Sequence, residues 1–296
     1  MSRADLSLLL VAAIWGTTFS LLRQSLRILH PVELMAIRFS MATIVLAAVF
    51  PRRILPPRAQ WIRDGAWLGV WLTAGYLTQV LGLQTITASR SAFITSTYIL
   101  FTPFLAIPIA RALPGPGDLL GLALAFAGMT LFSLGSAGIS LRAGDLWTLG
   151  CALSFGIQIV VTNVVAKKSD PIALSVMQMA VGALAGWTLV AWRGGFGVSW
   201  DRVPWGVLVY LAVVATALVI AIQTWALART TPIKAALLFS TEPIFATIFA
   251  VSFFGERMSE REVAGAALIL IGVLVGELWK PSREWVRARS ARRQRA

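Results

Sequence analysis

The stretch SAFITSTYILF, residues 91–101, returns 144 positions later as AALLFSTEPIF, residues 235–245, and the repetition runs well beyond it. Gln79, Leu83, Thr87, Ala92, Ser96, Thr97, Phe101, Ala106, Gly121, Ala123, Leu124 and Gly128 recur as Gln223, Leu227, Thr231, Ala236, Ser240, Thr241, Phe245, Ala250, Gly265, Ala267, Leu268 and Gly272. Asp118 aligns with Glu262 in the same register, which weakens toward the N-terminus, where Gly16 and Gly156 match at 140 instead. Duplication within an apolar chain points to a carrier, because two related halves can move against each other around a site between them.

Composition sets the solvent. Hydrophobic residues make up 57% of the chain and charged residues 13%, about half the charged share of a soluble domain. The chain belongs in lipid. Its formal charge of +13 does not indicate nucleic acid, because the basic residues sit in short connections and one terminal run. Cys151, the only cysteine, excludes an intramolecular disulfide. The weakly basic start before the first apolar run resembles a signal peptide, but no small-residue cleavage site follows before Arg23, so the segment reads as a retained helix.

A helix needs about 20 apolar residues to cross a bilayer. Ten stretches qualify: 6–22, 32–50, 61–83, 88–110, 117–134, 144–166, 171–192, 205–228, 232–254 and 262–279. Pro51, Pro56 and Pro57, the run 114–117, and Gly194, Gly195 and Gly197 separate several of them. Alternate connections differ in charge. One side collects seventeen Lys and Arg, including every lysine, and the other eight, with Arg38 inside a span. The positive-inside rule then places both termini in the cytoplasm.

The expected architecture is therefore an all-α integral membrane protein of ten transmembrane helices. Residues 1–140 and 141–280 form two five-helix repeats, and 281–296 a basic cytoplasmic tail. An odd number of helices per repeat forces the second copy to enter from the opposite face, so the repeats are inverted, with a central cavity at their junction. The tail has two readings, an anchor for topology or a contact with anionic lipid.

Several motifs now align with a known family. Ala12, Ala13, Ile14, Trp15, Gly16, Thr17, Thr18 and Phe19 in the first span resemble the opening helix of the drug/metabolite transporter superfamily, in its branch of ten-span exporters. Arg38 and Phe39, then Thr241, Glu242, Pro243, Ile244 and Phe245, then Gly255, Glu256, Gly265 and Gly272 extend the resemblance over essentially the whole chain. Within the superfamily the sequence is most similar to bacterial amino-acid exporters, including those for aromatic amino acids. The resemblance implies a cavity lined by the first, third, fourth, sixth, eighth and ninth spans, with the fifth and tenth outside it. It also implies export of neutral or aromatic amino acids, or related small metabolites, across a bacterial inner membrane by alternating access, with no cofactor or metal.

Charges inside the membrane are the sharpest local signals, because each costs about 2.5–3.5 kcal/mol to insert unless paired or hydrated. Glu242 lies mid-span beside Ser240, Thr241 and Pro243, and Pro243 breaks the helical hydrogen bonding. Its carboxylate could receive a proton, a substrate ammonium or Arg38, or simply fix the kink. Arg38 could attract a substrate carboxylate, or snorkel while pairing with Glu33 or a helix carbonyl. Arg38 and Pro243 are structural or gating candidates.

Gln79, Gln158, Gln178 and Gln223 could meet both ends of a zwitterion or join helices. Trp61, Trp147, Trp192, Trp200, Trp205, Trp279 and Trp285 fall at span ends and form an interfacial belt. Trp15, Trp71, Tyr76, Tyr98 and Trp225 lie deeper and could wall an apolar side chain or pack helices. The substrate-binding candidates are thus Trp15, Tyr76, Gln79, Tyr98, Gln158, Gln223, Trp225, Ser240 and Glu242. Gly121 with Gly128, and Gly265 with Gly272, suit close contact between the fifth and tenth helices.

Other classes fit less well. Efflux of quaternary ammonium or hydrophobic compounds would use Glu242 and deep aromatic rings as a cation wall. An enzyme needs an acid/base pair, nucleophile or metal set, and the chain offers one histidine, His30 in a loop, and one cysteine. A channel builds its pore from rings of like groups, which the sequence lacks. The partners expected are a small-molecule substrate and the bilayer, with the chain a monomer or dimer.

Overall fold

The computed structural model describes residues 1–133, 142–254 and 259–279. The end of the fifth expected span at Leu134, the motif residues Gly255 and Glu256, and the basic tail lie outside them. The described residues are helical with no strand. The helices are α1 (Arg3–Ser25), α2 (Pro31–Val49), α3 (Pro51–Ile54), α4 (Ala59–Leu83), α5 (Ala88–Ser96), α6 (Tyr98–Ala110), α7 (Pro116–Ser133), α8 (Ala143–Val165) and α9 (Pro171–Trp192). After them come α10 (Trp205–Val209), a π-helical segment (Tyr210–Leu218), α11 (Val219–Leu227), α12 (Pro232–Phe239), α13 (Glu242–Phe254) and α14 (Glu260–Leu278).

Eight helices or helix pairs among the described residues are long and apolar enough to cross a membrane. These are α1, α2, α4, α5–α6, α8, α9, α10–α11 and α12–α13. The two remaining expected spans are helices as well, but lesser ones. Among the described residues the apolar part of α7 covers Pro116–Leu131, and α14 carries Glu260, Arg261, Glu262 and Glu277.

Helices in lipid must satisfy their first backbone N–H groups within the protein, and the sequence supplies a cap at most starts. Ser2, Thr87, Thr231 and Ser259 accept from the first turns of α1, α5, α12 and α14, and Asp170 caps α9 ahead of Pro171. At α2 the roles are shared: Glu33 accepts from the His30 backbone at 2.9 Å, with Pro31 in the first turn.

Two spans are broken, at positions 144 residues apart. The first break falls at Thr97 between α5 and α6, the second at Ser240 and Thr241 between α12 and α13. Both use the same device. Thr97 donates its hydroxyl to the Ile94 carbonyl at 2.6 Å, and Thr241 to Leu238 at 2.7 Å, while Ser240 donates to Leu237 at 2.6 Å. Hydroxyls that bond local carbonyls compete with the helical ladder. Pro243 sits in the first turn of the new helix rather than inside a continuous kinked one, and the first break has Ile99 at the matching position.

Close packing depends on small residues. α7 and α14 run antiparallel: a methyl on Gly121 would lie 2.7 Å from the Gly272 carbonyl, and one on Gly128 2.6 Å from the Gly265 carbonyl. α2 packs on α9, α4 on both α8 and α9, α6 on α8, and α1 on α13. The α1–α13 seam is the tighter of two repeat-related ones. A Cβ on Gly16 would fall 2.7 Å from the Ala246 backbone nitrogen, whereas one on Gly156, between α8 and α6, would meet nothing closer than Phe101 at 3.4 Å.

Gly16→Ala should therefore destabilise by about 1–3 kcal/mol through overpacking, while Gly156→Ala is nearly neutral. Thermal unfolding of both variants in detergent checks this; equal shifts would show that the two seams do not differ.

Candidate functional site

The broken spans deliver their new helix starts to one internal cavity. Tyr98 opens α6 and Glu242 opens α13, and both side chains line it. The remaining walls are Trp15 and Thr18 of α1, Leu72, Tyr76 and Gln79 of α4, Thr95 of α5, Phe155, Gln158 and Ile159 of α8, and Gln223 of α11. Among the described residues, α7 and α14 contribute none. The cavity holds about 20 Å³, room for about one water, so this conformation is closed around its centre.

The lining is largely a set of matched pairs. At the 144-residue offset Gln79 answers Gln223 and Tyr98 answers Glu242; at the 140-residue offset Trp15 answers Phe155 and Thr18 answers Gln158. The aromatic side is a contiguous wall. Tyr76 meets Phe155 edge-on at 5.4 Å and Phe39 at 5.1 Å, while Trp15 packs on Phe239 at 5.5 Å.

Amides form the polar side. Gln223 Nε2 donates to Gln158 Oε1 at 3.3 Å, Gln158 Nε2 to Gln178 Oε1 at 3.2 Å, and Gln178 Nε2 to the Thr224 hydroxyl at 3.3 Å. This chain fixes the amide orientations and leaves the buried Gln223 Oε1 without a hydrogen-bond partner. The Tyr98 hydroxyl, also buried, faces the Glu242 side chain. A buried polar group without a partner costs about 1–3 kcal/mol, so the Gln223 oxygen is a group that a ligand would satisfy.

Arg38 lies one ring behind the cavity. It is 2% exposed, so it does not snorkel, and it pairs with neither Glu33 nor Glu242. Its guanidinium stacks 4.6 Å over the Tyr76 ring, donates from Nε to the Thr216 hydroxyl at 2.6 Å, and reaches the Ala215 carbonyl from Nη2 at 3.4 Å. Both acceptors belong to the π-helical segment, and Trp15 Nε1 donates to the same Ala215 carbonyl at 3.3 Å. π-Helical geometry frequently marks functional sites. Here it holds a cavity-lining tryptophan and a buried cation to one carbonyl. Glu33 instead accepts from the Gly197 backbone at 2.6 Å and pairs with Arg193 at 3.3 Å. Burial and the Arg193 charge hold the neighbouring His30 below its ordinary pKa, against the pull of Glu33.

Ion pairs tie the molecule at both ends. At the lysine-bearing end, Lys234 on α12 bridges Asp5 on α1 and Glu277 on α14, each at 2.9 Å. At the opposite end Arg90 on α5 grips Asp145 on α8 through two bonds, of 2.6 and 2.7 Å. The two sets are repeat partners: Arg90 answers Lys234 at 144 residues, and Asp5 answers Asp145 at 140. Each aspartate also accepts from its own helix start, Asp5 from Ser2 N at 2.5 Å and Asp145 from Arg142 N at 2.7 Å.

Of the sequence candidates, the cavity gathers Trp15, Tyr76, Gln79, Tyr98, Gln158, Gln223 and Glu242. Trp225 is not among the lining residues; its ring packs under Arg229 at 4.4 Å. Ser240 is also outside the lining and holds the helix break. Thr18 and Phe155 escaped notice although the 140-residue register pairs them with Gln158 and Trp15. Leu72, Thr95 and Ile159 carried no signal of their own.

A helical bundle with, among the described residues, eight segments long and apolar enough to cross a membrane around a mixed polar and aromatic cavity has the make-up of a multi-pass membrane transporter. The chain belongs to the EamA-like transporter family, whose profile matches it in two stretches, residues 2–134 and 142–276. An Archaeoglobus fulgidus protein described as an uncharacterized transporter is 31% identical over 277 residues, covering 93% of this chain and 86% of the relative. A Bacillus subtilis protein, uncharacterized transporter YwfM, is 26% identical over 281 residues and 92% of each chain. One crystal structure matches with a TM-score of 0.77 over 94% of this chain and 97% of its own, at 18% identity, which bears on the fold alone.

Removing the acceptor from the buried guanidinium should be costly. Thr216→Val is expected to destabilise by about 1–3 kcal/mol, against a near-neutral Thr43→Val, whose hydroxyl bonds only the Phe39 carbonyl of its own helix. Paired thermal melts check this, and a neutral Thr216→Val would mean that the guanidinium is satisfied elsewhere.

Proposed function

We propose that the protein carries neutral amino acids, aromatic ones included, out of the bacterial cytoplasm by alternating access between two inverted five-helix repeats. Its ten helices would then cross the inner membrane with both termini cytoplasmic, the face to which the lysine count assigns them. The observation that carries the substrate reading is the placement of a carboxyl group and a guanidinium on either side of the cavity wall. Glu242 lines it directly, and Arg38, which stays protonated, stands behind the Tyr76 ring with no carboxylate against it among the described residues. A zwitterion matches that polarity, its ammonium toward Glu242 and its carboxylate toward the Arg38 side. The free Gln223 oxygen adds an acceptor, and Trp15, Tyr76 and Phe155 suit an apolar side chain. A quaternary ammonium compound would find the carboxylate and rings, but it would meet the Arg38 field unfavourably.

Alternating access also suits the ion pairs. Each joins one half of the chain to the other, Asp5 to Lys234 at the cytoplasmic end and Arg90 to Asp145 outside. In the closed conformation both are made. Opening toward either face would break one and keep its repeat partner.

Counterflow in liposomes tests the substrate. Phenylalanine, tryptophan, methionine and threonine should exchange saturably, with the phenylalanine methyl ester and a quaternary ammonium ion competing weakly. Glu242→Gln should weaken exchange at least tenfold. Quaternary ammonium uptake without amino-acid exchange would move the protein to drug efflux.

The gates have their own readout. With Thr18→Cys in a Cys151→Ser background, Asp5→Asn should raise labelling by an impermeant thiol reagent severalfold from the cytoplasmic side, and Asp145→Asn from the opposite side. Labelling that rises from the same side in both would refute the paired-gate reading.

A further inference from the structure

A second site lies far from the cavity, at the lysine-bearing end. The linker from α2 into α4 and the turn from α8 into α9 enclose an open recess of about 460 Å³. Five cations border it, Arg52, Arg53, Arg58, Lys167 and Lys168, against one carboxylate, Asp170. We infer that this recess binds the phosphodiester headgroup of an anionic membrane phospholipid.

The cations are not equivalent. Arg53 is clipped to Asp170 at 2.6 Å, and that same carboxylate caps α9 through its other oxygen, at 2.9 Å from Ile172 N. Arg58 lies 4.7 Å over the Trp61 ring, and Lys167 donates to Asn163 Oδ1 at 2.9 Å. These three are held in place by the protein. Arg52 and Lys168 also border the recess, one from each wall, and among the described residues no ion pair occupies either of them. Positioned cations around a concave space, with two more uncommitted, make a receptor for a polyvalent oxyanion, because guanidinium and ammonium groups meet phosphate oxygens in charge-assisted bonds.

Location selects the lipid. The recess sits where α2 ends and α4 begins, and exposed apolar side chains flank it: Leu55 is 64% exposed and Ile62 48%. Trp61, also in its wall, has the amphipathic ring that favours the headgroup level. A soluble phosphate has no use for the apolar flank, whereas a phospholipid places its chains there while its headgroup enters the basic space. Basic pockets between helices at the membrane surface take anionic headgroups in this way. Since one wall belongs to the first half of the chain and the other to the second, a bound lipid would bridge them.

The test uses the full chain in a nonionic detergent, read by native mass spectrometry for retained lipid and by thermal shift. Phosphatidylglycerol and a diphosphatidylglycerol should be retained and should raise the melting temperature, with phosphatidylcholine retained far less. Arg52→Gln/Lys168→Gln should bind phosphatidylglycerol about thirtyfold more weakly, roughly fivefold per charge, with an unchanged melting temperature in phosphatidylcholine to show that it folds. Truncation after residue 280 should leave retention intact. Equal retention by the double variant, or a loss seen only on truncation, would overturn the site. Stabilisation by millimolar inorganic phosphate equal to that by phosphatidylglycerol would overturn the lipid as its source.

Discussion

A carbonyl freed from a helix inside hydrocarbon has no water to turn to, so a span can break only where the chain brings its own donor. At both breaks a threonine brings two donors, its backbone N–H and its hydroxyl, Thr97 to the Ile94 carbonyl and Thr241 to Leu238, and Ser240 does the same for Leu237 at the second. Those local bonds let a second helix begin at mid-membrane. Its first residue, Tyr98 in one case and Glu242 in the other, then faces the cavity. At the start of α13 the helix dipole favours a negative group, a compensation that an uninterrupted helix would not offer Glu242.

The opposite charge is accommodated differently. A guanidinium in a membrane interior needs acceptors and polarisable surface, and Arg38 finds them on a helix of altered pitch. Thr216 accepts from Arg38 and donates its own hydroxyl to the Leu211 carbonyl at 2.7 Å, five residues back as π-helical geometry allows. The Tyr76 ring completes the site, so the cation acts on the cavity through an aromatic face rather than by touching what enters. A carboxylate at the wall and a cation behind it create a direction across the cavity without forming an internal ion pair that would cancel both.

Much of this was legible in the sequence, and the rest was hidden for physical reasons. Apolar length and the proline and glycine breaks placed the helices, and glycine spacing placed α7 against α14. The fifth and tenth stretches looked equal to the others, yet α14 carries four ionisable residues and the described apolar part of α7 covers only Pro116–Leu131. Pro243 drew the eye to the second break. The same break at Thr97 has Ile99 where the proline would be, and the matched Thr97 and Thr241 were the better signal because their hydroxyls make the competing bonds. The amide chain through Gln158, Gln178 and Gln223 could be listed but not ordered, since order depends on which helices touch. Arg38 had a readable depth and an unreadable partner, because no sequence rule foretells a π-helical segment.

The ends of the molecule show how a duplicated fold can be closed and still able to open. Each gate aspartate binds a cation across the junction and also caps its own helix. When the cation leaves, the carboxylate keeps its backbone partner, Ser2 N or Arg142 N, so release does not strand a bare buried charge, the condition that makes breaking an ordinary buried pair so costly. The two ends are nonetheless unequal. The α1–α13 seam, which lies on the Arg90 side of the midplane, is closed at Gly16 down to backbone contact, while the α6–α8 seam, on the Lys234 side, is not, and Lys234 meets two carboxylates. Symmetry supplies the two gates, and these departures from symmetry would set which one opens more readily.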